Sequence, residues 1–442
     1  MKPTAPSSKL PFVLLGIFAF LILVFGALNL VKSLNVSKNV TLTYWGLWEP
    51  ESVMRPLLDK FETDHPNIKV NYVQQSAQEY RERLLSAISQ GKGPDVFRIH
   101  SSWVPMFRTL LAPVPDTDFA SFYPTANTDL LSGKRHLAIP LEFDGLVMYV
   151  NDTLLAASGQ SVPEDWDQLR TTAVAASRCT SETGACTDST PILTSGVALG
   201  TADNVDHWQD IVSLLMLQNR VDFTKLDQPS PKAAQDALDY YTSFSKDLHI
   251  WSSSLPTSTS QFISGKLAIY FAPSWRILEI KQAAPKLKFS IHPVPQVALD
   301  VARQEQPINL ATYWVEGISA KSRSVAAATE LLTYLSSKDV QSQFFASAVA
   351  SGRLFGEPYS RVDLAASLQD SEYLAPLLSQ APTAKSSYLA SSTQDGTSGI
   401  NSKLSTVFAS TINGTTTLAE LATSVTKILA DYGLAVAPPV SK

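Results

Sequence analysis

Between Val40 and Ile99 the hydrophobic period switches back and forth between two values. Val40, Leu42 and Tyr44 alternate with their neighbours, the period of a strand. Val53, Leu57 and Phe61 then fall at helical spacing, and that segment stops at Asp64-His65-Pro66-Asn67. Ile68, Val70 and Tyr72 alternate again. Tyr80, Leu84 and Ile88 make a second helical stripe closed by Gly91, and the run PDVFRI reads as a third strand. Few architectures accept strand–helix–strand–helix–strand: the strands lie parallel, joined by right-handed crossovers. The expected fold class is therefore α/β. In such sheets ligands bind outside the C-terminal ends of the strands.

Two aromatic loops fall at that edge. TYWGLWEPE carries Trp45 and Trp48 out of the first strand, and HSSW, His100 to Trp103, follows the third. Further on, LVMYV (Leu146–Val150) and KLAIYFA (Lys266–Ala272) read as strands buried on both faces. Helical patterns cover Trp166–Ala176, His207–Asn219, Ala233–Leu248, Val325–Leu335 and Leu418–Tyr432. Ala381–Thr417 is rich in Ser, Thr and Ala with weak periodicity, and is expected to be a mobile set of surface loops.

The N-terminus carries a different message. Phe12–Val31 is a run of about 20 uncharged residues, long enough as a helix to cross a bilayer core. Lys2 and Lys9 precede it, which keeps the short tail cytoplasmic and puts the rest of the chain outside. The run is long for a signal peptide and no good small-residue cleavage site follows it. No cysteine follows it to take a lipid. A single-pass, uncleaved anchor (12–31), a cytoplasmic tail (1–11) and a linker (32–38) are expected, with the globular part at the cell surface or in the periplasm. The net charge of −5, with no Lys/Arg run, leaves nucleic-acid binding without an electrostatic footprint. Six histidines and two cysteines show no ligand-spaced cluster, so no metal or cofactor is expected. Cys179 and Cys186 bracket TSETGA and are expected to pair in an oxidising compartment.

The order of motifs resembles the family 1 extracellular solute-binding proteins of ABC importers, in particular their sugar-binding, maltose- and oligosaccharide-binding branch. LTYWGLW, FETDHPNIKVNYV, ISQGKGPDVF, AIPLEFDGLVMYVNDTLL, VPEDWDQL and FISGKLAIYFAPSW follow the family's order nearly throughout the chain after the anchor. Asp165 departs from the family's usual threonine, Ile269 from its methionine and Pro273 from its glycine. The resemblance implies a two-lobed periplasmic-binding-protein-like fold of type II, with the ligand between the lobes. The N-lobe would be residues 39–143 and 299–350, the C-lobe 144–298 and 351–435, with a tail at 436–442. The chain would cross between lobes near Pro140–Gly145, His292–Val297 and Gly352–Pro358. It further implies that Asp144 is the cleft carboxylate and Trp275 the stacking ring of the C-lobe. ABC permease subunits would be the protein partners.

A sugar needs rings for its C–H face and fixed planar polar groups for its hydroxyls. The suspected cleft supplies Trp45, Trp48, His100, Ser101 and Trp103 from the N-lobe, and Glu142 and Asp144 from the first crossing. It adds Trp275 and Arg276 from the C-lobe, and Tyr313 and Trp314 before VEGIS. Of the two rings in the first loop, Trp45 is the better candidate for the cleft. The expected function is capture of a carbohydrate and its delivery to a permease, without covalent chemistry. Alternatives are a non-sugar solute such as iron, for which Tyr240–Tyr241 would be the ligands, or a polyamine; a ligand sensor; and an anchored glycoside hydrolase using Glu142 and Asp144.

Overall fold

The computed structural model describes residues 39–115, 119–181, 183–226, 230–298 and 305–434. The expected anchor, Phe12–Val31, lies outside the described residues. Among those residues no helix is long and apolar enough to cross a membrane.

Two sheets divide the protein into two α/β lobes. The first has the order β2-β1-β3-β12-β4, built from β1 (Val40–Gly46), β2 (Ile68–Gln74), β3 (Val96–His100), β4 (Leu111–Ala112) and β12 (Trp314–Ser319). β1 runs parallel to both β2 and β3. β12 arrives from late in the chain and inserts antiparallel between β3 and β4, and it also pairs with β5 (Ala138–Pro140). The second sheet has the order β10-β6-β9-β8-β7. Its strands are β6 (Leu146–Asn151), β7 (Arg178–Cys179), β8 (Ile192–Val197), β9 (Leu267–Pro273) and β10 (Phe289–His292). Every residue of β6 and β9 is buried, so the two continuous apolar runs are central strands covered on both faces.

The parallel half of the first sheet follows from the sequence periods. Helix α1 (Glu51–Asp64) buries Val53, Leu57 and Phe61, and α2 (Tyr80–Ser89) buries Tyr80, Leu84 and Ile88. Helix α8 (Lys338–Ala350) returns to pack on α1, where Ser347 donates to the carbonyl of Val53.

Three strands of chain join the lobes side by side. The first runs through Leu141–Gly145. The second runs beside it, with Gly145 bridged to Ala311 and the Thr312 amide donating to the Asp144 carbonyl. The third follows α8, where the Phe143 amide donates to the Pro358 carbonyl. The second crossing therefore lies at Ala311–Trp314, not at His292–Val297. Pro295 and Ile308, the latter just before β11 (Asn309–Leu310), still belong to the second lobe, because the Gln218 side chain donates to the carbonyls of both. The region Ala381–Thr417 also differs from its expectation as mobile loops. It contains the regular helix α9 (Ile400–Ile412), and Ser391, Thr393 and Asp395 are buried.

Cys179, on the edge strand β7, is joined in a disulfide to Cys186 in the loop that follows, with a Cα–Cα distance of 5.1 Å. A loop this short contributes about 2.5 kcal/mol by restricting the unfolded chain. Replacing both cysteines by serine is expected to lower the unfolding free energy measured in urea by no more than that contribution. The bridge is not part of the inter-lobe cavity described next, so ligand affinity should be unchanged.

Candidate functional site

A cavity of about 580 Å³ opens between the lobes, at the ends of β1, β3 and β9 and against the three crossings. Its rings come from opposite sides. Of the eight tryptophans, only Trp48 (40 %) and Trp275 (38 %) are exposed, and both line this cavity. Trp48 stands edge-to-face against Trp314, 5.3 Å between centroids. Trp314 in turn packs edge-on against His100 at 5.3 Å and against Trp103 at 5.5 Å. On the opposite wall Trp275 follows β9 and starts helix α6 (Arg276–Ala283). The Arg276 guanidinium lies over its ring at 4.5 Å, and Arg276 Nε donates to His207 Nε2 at 2.9 Å. That arrangement leaves an indole held from behind and open in front.

The polar groups are fixed just as firmly. Asp144 Oδ1 accepts the amides of Gly145 at 2.6 Å and Ser274 at 3.0 Å, tying the first crossing to the end of β9. Burial pushes its carboxyl up to about 7, against those hydrogen bonds. His100 bonds Ser102 Oγ (2.7 Å) and Thr312 Oγ1 (3.0 Å), and burial lowers it to about 4, so the ring is neutral at pH 7.

Seven of the eleven residues expected in the cleft line the cavity: Trp48, His100, Glu142, Asp144, Trp275, Arg276 and Trp314. Trp45, Ser101, Trp103 and Tyr313 do not. Trp45 is still inside β1, paired with Val73 and Phe97, and its half-buried ring packs on the lobe core. The loop only begins after Gly46, so Trp48 is the ring that reaches the cavity. Gly46 has no side chain because the Tyr72 hydroxyl needs that space: an added Cβ would lie 2.1 Å from it. That hydroxyl donates to the Glu49 carbonyl at 2.7 Å and fixes the loop. Trp103 is fully buried, folded under β3 by the short turn Ser101–Trp103 and stacked at 6.1 Å on Phe107. Ser101 is buried within the same turn. Tyr313 precedes Trp314 in extended chain and points the opposite way, donating to Asp129 Oδ2 at 2.8 Å.

The wall also contains residues that sequence reasoning passed over. Ser391, Ser392 and Gln394 come from the segment expected to be mobile. The buried Asp210, in the first turn of α4 (Trp208–Gln218), anchors that segment by accepting from the Ser391 amide and hydroxyl. His207 Nδ1 lies 2.7 Å from the same hydroxyl. Asp395 then caps α9, accepting the amides of Asn401 at 2.6 Å and Ser402 at 3.2 Å. Arg353 and Glu357, on the third crossing, complete the wall.

Behind Glu142 and Glu357 lies a buried charge cluster. Arg98, in the middle of β3 and 1 % exposed, donates Nε to Glu316 at 2.6 Å and Nη1 to Glu49 at 2.9 Å. The same Nη1 is 3.6 Å from Glu142. Arg353 pairs with Glu357 at 2.6 Å. Arg98 carries the missed signal: an arginine inside the apolar strand VFRIH has to find buried partners. Glu49, Glu142 and Glu357 bring carboxylate oxygens within 4.8 Å of one another, a spacing a metal ion can bridge. Here a guanidinium already occupies the side facing Glu49 and Glu142.

The tyrosine pair considered as iron ligands is elsewhere. In helix α5 (Pro231–Lys246), Tyr240 donates to the Trp166 carbonyl and Tyr241 to that of Thr201, and neither lines the cavity.

The fold agrees with the comparisons. A family model of bacterial extracellular solute-binding proteins matches residues 57–354 of the 442. The chain belongs to this family. Several solved structures share the architecture of this solute-binding protein. The GacH receptor of Streptomyces glaucescens, solved unliganded and with acarbose or an acarbose homolog, superimposes with a TM-score of 0.65 at 21 % identity. The match covers 89 % of this chain and 98 % of that one. The sugar-binding protein MalE from the phytopathogen Xanthomonas citri gives 0.68 at 17 % identity, over 88 % and 98 %. The maltose-maltodextrin binding protein of Alicyclobacillus acidocaldarius gives 0.64 at 16 % identity, over 88 % and 100 %. At such identities the likeness carries the fold, and the ligand has to be argued from the cavity itself.

Proposed function

We propose that this solute-binding protein captures an oligosaccharide between its lobes and hands it to an ABC permease. One observation carries the reading: the two exposed tryptophans, Trp48 and Trp275, come from opposite lobes and face one cavity. Rings on both walls suit the two C–H faces of a sugar ring. Asp144, His100 and Arg276, each already held by a neighbour, suit its hydroxyl rim. A ligand touching both walls stabilises the closed arrangement, because only there are both sets of contacts made. The resemblance to sugar-binding proteins of ABC importers supports delivery to a permease, and no covalent step is needed. Division of the chain near the three crossings gives each lobe one wall of the site.

The apolar run Phe12–Val31 would hold the protein at the membrane, with the lobes outside. Alkaline carbonate extraction should leave the full chain in the pellet and release a chain beginning at residue 39.

Thermal unfolding of the protein with maltooligosaccharides tests the ligand class. The midpoint should rise with concentration, since a ligand that binds only the folded state stabilises it by mass action. A panel of mono- and oligosaccharides that all leave the midpoint unmoved, while iron or a polyamine raises it, would replace the sugar. Release of shortened products would make the protein a hydrolase.

A further inference from the structure

The charge cluster behind the cavity does not balance. Four glutamates, Glu49, Glu142, Glu316 and Glu357, face two guanidiniums, Arg98 and Arg353. If every group were ionised, two negative charges would remain uncompensated inside the protein. Glu49 and Glu316 are 1 % and 0 % exposed, so water does not neutralise them. Glu49 Oε1 has no donor facing it as a carboxylate. Yet Glu49, Glu142 and Glu357 each bring a carboxylate oxygen within 4.8 Å of the others, and two carboxyl groups that meet can share a hydrogen bond only if a proton lies between them. Two protons therefore balance the charge and supply the missing donors.

We propose that Glu49 and Glu142 each hold a proton at neutral pH and donate it to the Glu357 carboxylate, making two protons a structural part of the junction between the lobes. The donors and acceptor come from three places: the loop after β1, the first crossing and the third crossing. Losing the protons puts three like charges together where the lobes meet. Because Glu142 and Glu357 also line the cavity, it recharges the wall that a ligand meets.

The surroundings point the same way. Burial pushes Glu49 up to about 7, with Arg98 opposing and Glu357 adding. Burial also pushes Glu142 well above the usual glutamate value, helped by Glu357. Burial also opposes the charge on Glu357, but Arg353, the hydrogen bonds from Glu142 and Glu49, and Arg98 hold it below the usual glutamate range. Glu316 is raised by burial against Arg98 and the hydroxyl of Tyr44. The other groups facing the cluster are Tyr72 from β2, Tyr80 from α2 and Asp144 from the first crossing. Burial raises both tyrosines, which stay neutral, and Asp144 titrates in the same sense as Glu49 at about 7.

A raised glutamate is stabilising below its unfolded value, and that stability is lost as pH rises through its folded value. Stability should therefore fall as pH rises from the unfolded glutamate value of about 4.3 through about 7 for Glu49, and Glu142 works in the same sense. His100, lowered to about 4, works in the opposite sense up to about pH 6.5, and does so equally in the parent and in a Glu49 variant.

The test uses the full chain. Compared with Glu49→Gln, the parent's melting midpoint should fall more steeply between about pH 4.5 and about pH 7. Glu49→Gln, whose amide imitates the protonated acid, should flatten that slope by the share of one proton. Infrared spectra at neutral pH should show protonated carboxyl bands that weaken on alkalinisation. Equal slopes for Glu49→Gln and the parent, or no protonated carboxyl at neutral pH, would overturn the proposal. So would a midpoint raised by calcium or magnesium chloride, which would put a divalent cation in the protons' place. If Glu49→Gln does not fold, the infrared measurement on the parent decides alone.

Discussion

Replacing Arg98 by leucine is expected to leave little folded protein at neutral pH. The substitution keeps the strand and much of the volume but removes the cation shared by Glu316, Glu49 and Glu142. Removing one partner of a buried ionic group typically costs about 3–5 kcal/mol, because the remaining charge is stranded. Here Glu316 is left as a stranded, fully buried charge, and Glu49 and Glu142 lose the guanidinium they also face, so the cost should reach the upper end of that range. It is then comparable with the whole stability of an ordinary domain, about 5–15 kcal/mol. Urea unfolding of the soluble fraction measures it. The deficit should shrink as pH is lowered toward about 5, where the stranded Glu316 takes up a proton. An Arg98→Leu protein as stable as the parent at pH 7 would mean that the cluster contributes nothing.

The second large effect concerns binding. Trp275→Ala should weaken sugar affinity at least about tenfold, or about 1.4 kcal/mol, with little change in the melting point of the free protein. Trp275 is 38 % exposed and gives its open face to the cavity. Trp103→Ala should behave in reverse. Its ring is fully buried among Tyr80, Phe107 and Trp314, and removing it should cost about 3–5 kcal/mol of stability. Asp144→Ala is a less clean probe of binding, since it also strips the amides of Gly145 and Ser274 of their acceptor. If Trp275→Ala lowers the melting point and leaves affinity intact, the ring is packing.

The sequence made some parts of this protein readable and hid others for definable reasons. β1, α1, β2, α2 and β3 declared themselves because each buries one face against the next, and the period records it. β6 and β9 were readable as unbroken apolar runs. β12 was harder. It is six residues long, contains Glu316 and Gly317, and draws its place from partners far away in the chain. In the site, strand alternation was the missing information. It decides between Trp314 and Tyr313, and the true end of β1 decides between Trp48 and Trp45. The Ser391–Gln394 wall escaped because its order comes from Asp210, about 180 residues earlier in sequence. Small polar residues look mobile until their distant acceptor is known.

The placement of β12 also governs how the chain is born. Arg98 and Glu316, partners in the finished sheet, are 218 residues apart. A chain emerging from N- to C-terminus makes β1, β2 and β3 long before the strand that closes them, and builds much of the second lobe in between. Until Ser319 has been made, β3 presents an open edge, the kind of surface on which chains pair with one another. Such long-range closure is slow to fold. Fragments ending before Trp314 should therefore aggregate, while the complete chain, once folded, has that edge covered.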